Sequence, residues 1–121
     1  MRNEKIFEIS LEDLRFHSCH GVMPQEKLVG NEFTIDISIK IPYSDSILND
    51  DIENTISYAD IFDIVKNEMG KPRKLIETVA TCIAKRISAK WSDIISGQIT
   101  ICKSAPPIEN ISGQAKVTLF F

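Results

Sequence analysis

The sequence is poor in the residues that punctuate or staple a chain. Five glycines and five prolines in 121 residues exclude collagen-like and low-complexity structure. The glycines form neither a Walker loop nor a dinucleotide fingerprint, and no G-x-S-x-G marks a nucleophile elbow. The cysteines are Cys19, Cys82 and Cys102, an odd number with no C-x-x-C pair, so neither a disulfide framework nor a zinc knuckle is expected. Only two histidines occur, His17 and His20, and a strand through them puts them on opposite faces. With no third histidine beside Cys19, no metal site is expected, since open catalytic zinc sites usually need three protein ligands. No apolar run is long enough to cross a bilayer, so no membrane partner is expected. Met1-Arg2-Asn3-Glu4-Lys5 lacks the apolar stretch of a signal peptide, and with free thiols this predicts a cytoplasmic protein. The net charge is only -3 with acids and bases interspersed, which gives no basic face for nucleic acid.

What is present is ordinary for one globular domain spanning 1–121, with 43% apolar and 26% charged residues. Residues 5–19 alternate as a strand. Phe7, Ile9 and Leu11 share one parity and Leu14 and Phe16 the other, which predicts a bulge near Glu12-Asp13. Pro24 to Leu28 suits a single helical turn with proline at its start. Residues 32–41 alternate most cleanly: Phe33, Ile35, Ile37, Ile39 and Ile41 against Thr34, Asp36, Ser38 and Lys40. Residues 43–57 read as an irregular acidic connection. A helix is predicted from Tyr58, capped by Ser57 with Asp60 completing the box, with Tyr58, Ile61, Phe62 and Val65 on one stripe. Gly70 and Pro72 stop it. A second helix is predicted from Leu75 to Lys90 on Ile76, Val79, Ala80, Ile83, Ala84 and Ile87, with Lys85, Arg86 and Lys90 suiting the dipole at its end. Strands over 98–103 and about 114–121 close the chain. The order β-β-α-α-β-β predicts an α+β fold, an antiparallel four-stranded sheet with two helices on one face. Its other face is small or polar, through Thr34, Asp36, Ser38, Lys40, Thr100, Cys102, Lys116 and Thr118. Such a face suits water or the wet interior of an oligomeric barrel, and open sheet edges tend to pair with another copy.

Four polar side chains fall at element ends. Lys103 follows Ile99 and Ile101 on the apolar parity, just before Pro106 and Pro107. A lysine partly withdrawn from water there is suited to trade protons. The same segment also fits a lysine that snorkels to solvent. Glu26 and Glu77 are first-turn acids, either functional or simply favourable to the helix dipole. Tyr58 is a candidate by its hydroxyl or a core residue with a wet rim.

Taken together, these segments resemble the dihydroneopterin aldolase family of the folate pathway. The resemblance runs through Leu14-Arg15-Phe16, His20-Gly21-Val22-Met23-Pro24-Gln25-Glu26 and Gly30-Asn31-Glu32-Phe33. It continues through Asn54-Thr55-Ile56-Ser57-Tyr58, Leu75-Ile76-Glu77-Thr78-Val79-Ala80 and Lys103-Ser104-Ala105-Pro106-Pro107-Ile108. Ser57, Asn54 and Ser104 depart from the commonest family pattern, and none of them removes a catalytic group. The resemblance implies the tunnelling fold, in which four subunits close their sheets into a barrel and two rings stack into an octamer, with active sites between subunits. It implies a pterin substrate, 7,8-dihydroneopterin, cleaved by a retro-aldol step to 6-hydroxymethyl-7,8-dihydropterin and glycolaldehyde, with no cofactor. It further implies that Glu77 anchors the pterin with help from the Ile76 backbone, and that Tyr58 of a neighbouring subunit covers the ring. Glu26 would hold the side-chain hydroxyls and Lys103 would move protons. Alternatives are an epimerase of the same fold acting on dihydroneopterin or its triphosphate, which Lys71, Arg73 and Lys74 would serve, and a non-catalytic pterin-binding module.

Overall fold

The computed structural model describes residues 4–104 and 113–121. The elements are β1 (Ile6–Ser18), α1 (Pro24–Leu28), β2 (Asn31–Pro42), α2 (Tyr58–Met69), α3 (Ile76–Lys90), β3 (Ser96–Lys103) and β4 (Ala115–Phe120). The sheet runs β1-β2-β3-β4 with every neighbouring pair antiparallel. It is thus the expected four-stranded antiparallel α+β arrangement, and β1 and β4 are its edges.

The alternation along β2 places Phe33, Ile35, Ile37, Ile39 and Ile41 in the core. Ile99 and Ile101 of β3 join them, and Val79, Ala80, Ile83 and Ile87 of α3 cover them. Burying each such large aliphatic side chain contributes about 1.5–3 kcal/mol. The buried stripe of α2 is Ile61, Ile64, Val65, Glu68 and Met69. Tyr58, expected on that stripe, is instead 67% exposed, because it is the first residue of α2 and precedes the turns that meet the sheet. Phe62 is half-buried and stacks on Phe16 of β1 with ring centroids 6.1 Å apart.

The parity switch in β1 is a bulge. Leu11 pairs with Ile37 and Leu14 with Ile35, so Glu12 and Asp13 together face Asp36. Asp13 takes a left-handed conformation (φ 56°), and the Asp36 carboxylate accepts its N–H at 2.7 Å. This lets Ile9 and Leu11 before the bulge, and Leu14 and Phe16 after it, all pack against the core.

Two local expectations are corrected. Ser57 precedes α2 but makes no side-chain cap; its carbonyl accepts from Asp60 and Ile61 instead, so no capping box forms. The 43–57 connection contains two 3₁₀ turns, Asp45–Asn49 and Ile52–Asn54, where the Ser44 and Asp51 side chains accept from the N–H groups of Ser46 and Glu53. Cys102 is buried on the polar side of the sheet, its thiol donating to Gln114 at 3.0 Å. Pro106, Pro107 and Ile108 lie outside the described residues. Among the described residues, no helix is long and apolar enough to cross a membrane.

Candidate active site

The register of the central strands sets the site. Lys103 ends β3 directly opposite Phe33 of β2, and Phe33 in turn faces Phe16 of β1. The inward parity carries Lys103 to 9% exposure, with Nζ 5.8 Å from the centroid of the Phe33 ring. The ammonium does not snorkel. It donates to Oε2 of Glu26 at 2.5 Å, across 77 residues of sequence.

Glu26 is just as deeply placed, at 4% exposure in α1. Its Oε1 accepts the Met23 N–H at 3.3 Å, which closes the start of this single helical turn. Gly21 allows the carboxylate in: a Cβ there would stand 2.4 Å from it, and the residue's φ of +149° disfavours any other side chain. Two buried opposite charges hold each other, and deleting either one leaves a buried charge unpaired, a loss of about 3–5 kcal/mol.

His20 and Gly21 tie this pair to the start of α3. The Gly21 N–H donates to the Arg73 carbonyl at 2.9 Å, and the Arg73 N–H donates to Nδ1 of His20 at 3.2 Å. His20 is fully buried and packs edge-on to Phe33, centroids 5.3 Å apart. Burial, and then the nearby charge of Arg73, hold His20 below the usual histidine range, with a smaller push from Lys103. The ring is therefore neutral at pH 7 and keeps Nδ1 open as an acceptor.

Glu77 lies in the first turn of α3, exposed, next to half-buried Ile76. The amides of a first helical turn, here those of Ile76 and Glu77, have no intrahelical partner. The structure thus brings Glu26 and Lys103 into contact and links their segment to the loop that opens into Ile76 and Glu77. It does not bring Tyr58 into that group within one chain by any contact among the described residues.

His17 is not part of the site. It is solvent-exposed, bonded to Glu32 at 2.7 Å and to the Val29 carbonyl at 2.8 Å, and the Glu32 bond raises it above the usual histidine range. Among the described residues, no three His, Cys, Asp or Glu side chains cluster to hold a metal. Residue periodicity missed the Glu26–Lys103 pairing and the role of Arg73. The pairing joins distant segments, and Arg73 acts largely through its backbone.

The chain matches the family model for dihydroneopterin aldolase over residues 9–120. It belongs to the dihydroneopterin aldolase family. It is 35% identical over 101 residues to the Staphylococcus epidermidis dihydroneopterin aldolase, covering 83% of this chain and 84% of that one. It is 31% identical over 102 residues to the Bacillus subtilis enzyme, covering 84% and 85%. In fold it is similar to the Escherichia coli dihydroneopterin aldolase solved with neopterin, with a TM-score of 0.82 at 22% identity over 95% of this chain and 98% of that one. The Burkholderia thailendensis dihydroneopterin aldolase bound to guanine gives a TM-score of 0.71 at 14% identity over 96% and 90%. Membership makes the chain an enzyme, a lyase of the aldolase type.

Proposed function

We propose that the chain cleaves 7,8-dihydroneopterin by a metal-free retro-aldol step, with Lys103 and Glu26 as its proton-handling pair. The bond that breaks joins the first and second side-chain carbons. The hydroxyl on the second carbon loses its proton and becomes the carbonyl of glycolaldehyde. The bonding electrons pass to the first carbon and into the C=N bond of the ring, and a proton then returns to the first carbon to give 6-hydroxymethyl-7,8-dihydropterin. The substrate carries its own electron sink, so the protein has only to place it and move protons.

Lys103, directly or through a water, relays protons between that hydroxyl and the ring nitrogen, and Glu26 holds the side-chain hydroxyls. Glu77 anchors the pterin. The 2-amino-4-oxo edge offers two adjacent N–H donors to one carboxylate, and each bond to a charged acceptor is worth about 1.5–3 kcal/mol. Neopterin and guanine, held by the two related structures, share that edge. The Ile76 backbone adds a contact, and Tyr58 of a neighbouring subunit covers the ring and protonates the intermediate.

The open edges of the sheet support an oligomeric reading. Its edges β1 and β4 are open, and Phe7 on one and Phe120 on the other are 39% and 71% exposed. Closure of four sheets into a tetrameric barrel would pair the edges, and two such rings make the octamer. The exposure of Tyr58 suits a side chain that serves a neighbouring site.

The buried Lys103–Glu26 pair is the observation that carries this reading, since desolvating two charges is costly and calls for a use. Of the three basic residues that would serve a triphosphate, Lys71 and Arg73 pair with Glu68 and Lys74 stays exposed, so comparing free and triphosphorylated substrate decides between them. The test is to mix purified protein with 7,8-dihydroneopterin and chelator and to assay glycolaldehyde. Release is expected. Its absence would remove the aldolase, and isomerised substrate without release would favour the epimerase.

A further inference from the structure

Glu68 is the other buried carboxylate among the described residues, at 2% exposure in the last turn of α2. A lone buried carboxylate is strongly disfavoured, and three cations answer it. Lys71 reaches Oε2 at 3.1 Å, Arg86 of α3 reaches Oε2 at 2.9 Å, and Arg73 reaches Oε1 at 2.9 Å. Burial pushes the Glu68 carboxyl up, but Arg86, Lys71 and Arg73 together hold it below the usual range.

The two arginines differ in what else they touch. Arg86 also donates to Asn67 at 2.8 Å, so among the described residues it fastens α3 to α2. Arg73 has its guanidinium on Glu68 and its peptide on the site: its N–H goes to His20 and its carbonyl receives Gly21. Gly21 lies against the Glu26 carboxylate that holds Lys103. Three residues after Arg73, α3 begins with Ile76 and Glu77.

We propose that Glu68 is a positioning residue for the reaction. Acting through Arg73, it fixes the spacing between the Glu26–Lys103 pair and the Glu77 anchor. One carboxylate holds the arginine by an ion pair at 2.9 Å, and the backbone of that arginine stands between the group that moves protons and the group that binds the pterin. The inference rests on the aldolase reading above. Catalysis by placement is sensitive to such a contact, because a misplacement of about 1 Å can cost on the order of 100-fold.

The two arginines supply the control. Arg73→Gln and Arg86→Gln each remove one cation from Glu68, and both are expected to lower the melting temperature. Only Arg73→Gln is expected to lower kcat/KM, by about 10- to 100-fold, and to weaken equilibrium binding of neopterin, read by fluorescence; Arg86→Gln should stay within about twofold of wild type. Arg73→Lys keeps a cation but changes its reach and shape and should fall between, which preserves the comparison if Arg73→Gln folds poorly. Equal effects of the Arg73 and Arg86 variants on kcat/KM, or no effect of either, would overturn the proposal. Wild-type protein that releases no glycolaldehyde would instead sink the aldolase reading, and neopterin binding would still report on the contact.

Discussion

Gly21 and the Glu26 carboxylate occupy what would be a single volume if Gly21 carried a side chain: a Cβ would stand 2.4 Å from Cδ and Oε1 and 2.6 Å from Oε2. Gly21→Ala must therefore push the carboxylate away from Lys103 or distort a backbone already at φ +149°. We expect a loss of about 1–3 kcal/mol in stability from strain and overpacking, read by urea unfolding. We also expect a drop in turnover larger than the loss of folded protein explains. An alanine variant with wild-type stability and turnover would show that the carboxylate has room to move.

Removing one member of the ion pair should cost more than removing both. Glu26→Gln leaves the Lys103 ammonium buried without its charge partner, and a loss of about 3–5 kcal/mol is expected. Adding Lys103→Met to Glu26→Gln should restore much of that stability without restoring turnover. Denaturant midpoints of the two single variants and the double variant check this, and additive losses would contradict direct pairing.

Glu77 should behave in the opposite way. It is exposed at the start of α3, so Glu77→Ala forfeits only a favourable dipole interaction of about 0.3–1 kcal/mol. Pterin binding should be lost while the fold survives. Titration with neopterin measures this, and tight binding by the variant would take the anchor role away from Glu77.

The two histidines make opposite contributions to pH dependence. His20 is lowered by burial and by Arg73, so below its ordinary value of 6.5 the unfolded chain takes up a proton that the folded chain refuses. That stability is present above about pH 6.5 and is lost as the pH falls towards the depressed folded value. His17 is raised by its bond to Glu32, so its contribution is present below 6.5 and fades as the pH rises through the folded value. His20→Asn, which keeps an acceptor near the Nδ1 position, should flatten the fall in melting temperature between pH 7 and 5; an unchanged slope would mean that His20 does not govern it.

Much of the fold was legible because burial in one layer of strands writes a two-residue period into β2, and burial of one helix face writes its own period into α3. The bulge at Glu12-Asp13 was legible for the same reason, as a change of parity. Tyr58 misled because a stripe gives direction around a helix and not where along it the sheet stops. Glu26, Glu77 and Lys103 were legible as polar residues at element ends. The contact between Glu26 and Lys103 was not, because pairing across 77 residues depends on the whole sheet register. Arg73 was legible only as a charge. Its part in the site is played by its N–H and carbonyl, which every residue other than proline possesses.

Lys103 is expected to move protons for a bound pterin. The most direct test follows glycolaldehyde release from 7,8-dihydroneopterin by wild-type protein and Lys103→Met under single-turnover conditions, with neopterin affinity measured alongside. The predicted result is release by wild type and a cleavage step slower by about 10²- to 10⁴-fold in the variant, with pterin still bound. Cleavage by Lys103→Met at a rate close to wild type would contradict it.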